Sequence, residues 1–295
     1  MAIRNPVEWI VDQFRTSAVA VGAAGHDLRE SHEQELHTML PAIRRVGVAD
    51  LRDALARGWE DFKASRTDVI FLCVIYPLVG LILGGIFSGY DLLPLLFPLA
   101  SGFALVGPFA AVGLNEMSRL REQGVDASLG DAFGVVRSPA FGTIVLFGLL
   151  LMAILLFWLV VAAALYDWTL GPAQPASFGA FMHDVFTTGA GWTMIVVGIA
   201  VGFLFALVVL GISVVSFPLL LDRHGGIETA IETSMRALRA NPGPILLWGL
   251  IVAVLLVLGS IPALLGLVIV MPVLGHATWH LYRKLVVYGP ERVSR

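Results

Sequence analysis

Charge is what this chain has least of. Only 14% of its 295 residues are Asp, Glu, Lys or Arg, where an ordinary soluble domain carries about 25%. With 57% hydrophobic residues and a mean hydropathy of +0.84, the composition excludes a soluble globular domain and reads as a polytopic membrane protein. Cysteine is nearly absent: Cys73 stands alone inside an apolar run, which excludes an intrachain disulfide and a cysteine-rich metal centre. Catalytic signatures are missing too. There is no nucleophile elbow, phosphate loop, metalloprotease motif or carboxylate pair within an apolar run, so the chain is expected to be non-enzymatic. No signal-peptide h-region precedes Val69, the apolar stretch 16–25 being too short to span, and the expectation is that the first span itself directs insertion without a cleavable signal.

Six runs are long or apolar enough to read as spans, near 68–87, 94–114, 141–165, 192–216, 244–259 and 261–282. The loops are as uneven as the spans are uniform. All 19 Lys and Arg lie in the N-terminal segment, in 116–140, in 222–243 or from Arg283 onward, and the other three loops carry none. By the positive-inside rule both termini are expected in the cytoplasm. The expected fold is all-α: six transmembrane helices as three hairpins, each preceded by a cytoplasmic amphipathic helix. Three regions follow: a charged N-terminal segment (1–46), a membrane domain (47–286) and a short tail (287–295).

In the N-terminal segment Asn5-Pro-Val-Glu8 reads as a helix start, and Trp9, Ile10, Phe14, Ala18 and Val21 follow helical spacing. His26, Glu30, Glu33 and His37 then fall on one helical face, a pattern that suits either a divalent metal or a solvated surface. On the far side of the membrane, Phe178, Phe181, Met182, Val185 and Phe186 form an amphipathic stripe flanked by Trp168 and Trp192.

The segments 50–57, 128–135 and 230–237 can be laid over one another, with Leu51/Leu129, Asp53/Asp131 and Ala54/Ala132 shared by the first two. The second helix of each hairpin also carries a proline: Pro108, Pro218 and Pro272. The unit is therefore an amphipathic helix plus a hairpin, used three times in parallel. Proline kinks would draw Glu116, Asp222 and His280 toward a common inner vestibule.

The stretches Ser101–Arg119, Val215–Arg223, Asn241-Pro242 with Leu247-Trp-Gly249, and Pro272–Arg283 together resemble a bacterial integral-membrane family, domain of unknown function 2189, over residues 47 to 286. The resemblance implies a bacterial inner-membrane protein with no settled activity. Some members carry the label cytochrome c oxidase subunit I, but that oxidase core needs six histidine ligands, and only His276 and His280 lie near a membrane helix here. Where the family usually has tyrosine, this chain has Asn115.

His276 and His280, four apart on the last apolar run, are the candidate metal or haem ligands. The alternative is that His276 bonds backbone freed by a kink, while His280, Trp279, Tyr282 and Arg283 anchor the helix at the interface. Glu116 with Arg119, and Asp222 beside Arg223, read as interfacial ion pairs. No charge lies near the middle of an apolar run, where an ion-coupled transporter usually keeps one; a neutral substrate could use Asn115, Ser213 or Ser216. The sequence points first to an accessory, assembly or scaffold protein whose helices and N-terminus bind another membrane component, such as a respiratory complex. A transporter or channel, and a haem or metal handler, stay open. Basic residues balanced by acids argue against nucleic acid.

Overall fold

The computed structural model describes residues 40–64, 111–125, 128–171, 175–223, 225–262 and 264–287, with isolated positions between 78 and 99. The Asn5–Glu8 start, the Trp9–Val21 stripe, the His26–His37 face, Cys73, Pro108 and nearly all of the first two expected spans lie outside the described residues. The helices are α1 (Val48–Ala64), α2 (Val112–Glu122), α3 (Leu129–Ala132, followed by a 3-10 turn Phe133–Arg137), α4 (Phe141–Thr169) and α5 (Phe178–Thr187). They continue with α6 (Gly189–Ser213), α7 (Ser216–Arg223), α8 (Ile227–Ala240), α9 (Pro242–Ser260) and α10 (Leu267–Leu285). A two-residue strand β1 (Ala42–Ile43) pairs antiparallel with β2 (Val286–Val287).

Among the described residues three helices are long and apolar enough to cross a membrane: α4, the run from α6 into α7, and α9. They coincide with the third, fourth and fifth expected spans. Their outward faces expose Leu149, Phe157, Val196, Phe203, Val254 and Val257, as surfaces solvated by lipid do. The glycines of Gly198–Gly202 serve close packing, as such residues do between membrane helices. A Cβ at Gly202 would stand 3.2 Å from the Trp158 ring and one at Gly198 3.4 Å from Leu165.

The last helix, on the sixth expected span, is more covered than these three. Helix α10 has 19 residues, about 28 Å at 1.5 Å per residue, yet it is not among the long apolar helices. Its C-terminal half carries His276, Thr278, His280, Arg283 and Lys284, and α1 and α2 cover it so that Trp279, Leu281 and Tyr282 are buried. It is an internal strut more than a lipid-facing span. The kinks are also uneven. Pro272 sits inside a continuous α10, whereas Pro218 falls in the first turn of α7, after a break at Val214–Val215, where proline is tolerated.

Helix α1 binds α10 at almost no separation. Its buried face is Leu51, Ala54, Gly58, Asp61 and Phe62, the spacing of an amphipathic stripe. A Cβ at Gly58 would lie 2.7 Å from the Ala277 Cβ, the Ala277 nitrogen and the Val273 oxygen. Asn241, between α8 and α9, clasps the chain just before α1. Its Oδ1 accepts from the Val46 N–H at 2.8 Å and its Nδ2 donates to the Arg44 carbonyl at 3.0 Å. The Asn241-Pro242 step thus has a packing reason. In the register that overlays 50–57, 128–135 and 230–237, the common position is occupied by Ala54, Ala132 and Ser234, all buried.

The apolar stripe of 178–186 divides. Ser177 caps α5 by accepting from the Ala180 N–H at 3.1 Å. Phe181 and Val185 pack against Tyr166, Leu170 and Met194, while Phe178 and Phe186 remain exposed beside Trp168 and Trp192.

The α1–α10 crossing gives a test. Alanine exceeds glycine in helix propensity by about 1 kcal/mol, but overpacking a filled contact costs about 1–3 kcal/mol. Thermal unfolding in detergent should therefore show Gly58→Ala destabilised. Gly47→Ala, where nothing lies within 4 Å of the added methyl, should match the parent protein.

Candidate functional site

The polar ends of α2, α7 and α10 lie against one another. On α2, Glu116 takes Arg119 in a two-pronged pair, with Nε to Oε2 at 2.7 Å and Nη2 to Oε1 at 2.6 Å. On α7, Asp222 accepts from the Tyr282 hydroxyl at 2.7 Å and pairs with Arg223 at 3.4 Å and Arg283 at 3.9 Å. Glu122 accepts from Trp279 Nε1 at 3.0 Å and from Arg283 Nε at 3.1 Å. The structure therefore brings together Glu116, Arg119, Asp222, Arg223, Trp279 and Arg283. The electrostatic influence of Asp222 on Arg119 and on Arg283 joins them into one layer.

Asp61 of α1 is the hub of a second cluster. Its Oδ2 accepts from Ser118 Oγ at 2.7 Å and meets His280 Nε2 at 2.8 Å, and its Oδ1 accepts from Arg121 at 3.0 Å. Burial pushes this carboxyl up, but hydrogen bonds from His280 and Ser118 outweigh it and hold Asp61 below its usual 3.8. A depressed carboxyl contributes stability that is present above 3.8 and lost as pH falls through its folded value.

The two histidines do not act as a pair. His280 turns to Asp61, while His276 Nδ1 lies 2.8 Å from Ser118 Oγ. Because the single Ser118 proton goes to the Asp61 carboxylate, His276 must donate from Nδ1, which leaves Nε2 as the bare lone pair. That Nε2 is buried and has no hydrogen-bond partner among the described residues. Ser118, His276 and Asp61 thus meet without the order of a hydrolytic triad: serine bridges the other two, instead of histidine. Among the described residues no group of three His, Cys, Asp or Glu could hold a metal.

Beside this cluster a cavity of about 500 Å³ lies between α6 and α9, with α2, α7 and α10 on its inner side. Among the described residues its walls include Val209, Phe217, Trp248 and Met271 and, the Trp248 indole aside, its polar side chains are Asn115, Ser213 and Thr278. Ser213 donates to the Val209 carbonyl at 2.6 Å and Thr278 to the Leu274 carbonyl at 2.7 Å. Asn115 is 1% exposed and its Oδ1 has no hydrogen-bond partner among the described residues. Ser216 is turned elsewhere, donating to the carbonyls of Ile212 and Ala230.

Sequence reasoning missed Asp61, Ser118, Arg121 and Glu122. One signal was available: Asp61 lies on the apolar stripe of α1, and a carboxylate on a buried face needs a partner. Ser118 and Glu122 carried none, since their partners on α10 are 158 and 157 residues away.

No curated protein and no solved structure matches the chain. Residues 96–222, a narrower stretch than the motifs span, match the model of the family described as predicted integral membrane protein, domain of unknown function 2189, the same family those motifs resemble.

Proposed function

We propose that this is a non-enzymatic accessory, assembly or scaffold component of the bacterial inner membrane, with six spans in three repeated hairpins and both termini cytoplasmic. The distribution of Lys and Arg supports that topology. The observation that carries the function is the closure of the polar layer on itself. Glu116, Glu122, Asp222 and Asp61 each have a partner within the same chain. Charges so engaged fix α1, α2, α7 and α10 to one another instead of reaching out to a substrate. What α4, α6 and α9 offer outward is apolar, and a partner would meet those faces within the bilayer. Purification in gentle detergent from native membranes, followed by mass spectrometry, should recover a co-purifying membrane protein. A photocrosslinker at the exposed Val257 should trap that same protein. Recovery of the chain alone, with no crosslinked product, would remove the basis for a scaffold.

His276 favours a second reading, haem or metal handling. A histidine held through one nitrogen by a serine and a carboxylate, with its other nitrogen bare, has the outer support that metal-bound imidazoles have. The reading rests on His276 alone, because His280 Nε2 is engaged by Asp61. Metal analysis and an absorption spectrum of the same preparation test it: a bound metal or Soret band lost in His276→Ala supports it, and a metal-free, colourless protein contradicts it.

A further inference from the structure

We propose that the cavity between α6 and α9 binds a neutral membrane-borne alcohol, its apolar body filling the cavity and its hydroxyl donating a hydrogen bond to Asn115. The volume, about 500 Å³, lies within the roughly 300–1,000 Å³ of sites that enclose small organic molecules. Among the described residues no charged side chain lines it, which disfavours an ionic ligand. Phe203, Leu246 and Leu250 on the cavity wall are exposed on α6 and α9, two helices apolar enough to cross the membrane. A ligand would therefore enter sideways from lipid.

The polar chemistry of the wall selects the functional group. Ser213 and Thr278 have placed their protons on carbonyls of their own helices. On the described wall, Asn115 Oδ1 is the buried acceptor left unanswered, and an unanswered buried acceptor costs free energy. Water is a poor answer, because a buried water normally requires two to four polar partners in a wall that is almost wholly aliphatic and aromatic. A hydroxyl on an apolar body supplies the missing donor and fills the remaining space. The site is independent of any protein partner on the outer faces.

The test uses the full chain in nanodiscs, photolabelled with a diazirine derivative of octanol and, separately, with the matched octane derivative. Labelled peptides are located by mass spectrometry. The alcohol should label cavity residues of α6 and α9 at least fivefold more than the hydrocarbon does, and excess decanol should compete. Asn115→Leu should abolish that preference without lowering the unfolding temperature of the probe-free protein, since it removes an unpartnered polar atom. Ala253→Phe, which leaves Asn115 in place and obstructs the cavity wall, should block labelling by both probes. Equal labelling by alcohol and hydrocarbon, or unchanged alcohol labelling in either variant, would overturn the proposal. So would a label confined to outward residues such as Leu149 and Val196.

Discussion

The close crossing of α1 and α10, with one buried carboxylate at its end, governs the arrangement of the rest. Gly58 lets the two backbones approach until a single methyl group would collide with Ala277. Three residues further on, that approach delivers Asp61 into the protein. A buried carboxylate is tolerable only when paired and hydrogen-bonded, and Asp61 gathers Ser118 and Arg121 from α2 and His280 from α10. One charge thus orders three helices, and His276 takes its orientation from the serine that Asp61 holds.

The layer around Glu116, Asp222 and Arg283 extends the same logic to α7. The acidic side chains of this layer are each paired with a basic neighbour, so the polar helix ends form a clamp. Asn241 fastens the entry to α1 from the α8–α9 junction. The cavity lies beside the clamp, and Asn115 belongs to both, since α2 also carries Glu116, Ser118 and Arg119. A molecule in the cavity would therefore touch the helix whose neighbouring residues hold α1 and α10 together.

Local physics made the long helices legible. The runs that became α4, α6 and α9 announced themselves through length and hydropathy, and Ser177 signalled the start of α5. Of the expected convergence of Glu116, Asp222 and His280, the structure brings Glu116 and Asp222 into one layer with Arg119 and Arg283, while His280 turns to Asp61 of α1. What the chain could not disclose was pairing across distance. His276 and His280 at i and i+4 look like joint ligands on a bare helix, but the neighbours of α10 pull them apart, one to α2 and one to α1. The apolar count at the start of α10 similarly suggested a sixth span. Its polar second half made sense only once α1 covered it. Asn115 stood out only as a departure from the family's usual tyrosine, and its unpartnered oxygen emerged from the packing around it.

The central claim is that Asp61 and His280 are energetically coupled across the α1–α10 contact. A double-mutant cycle of Asp61→Asn and His280→Gln, followed by unfolding in detergent at pH 7, measures that coupling directly. Residues that share one hydrogen-bond network interact by roughly 0.5–3 kcal/mol, and a value of about 1 kcal/mol or more is expected here. Strictly additive effects of the two substitutions would contradict the account.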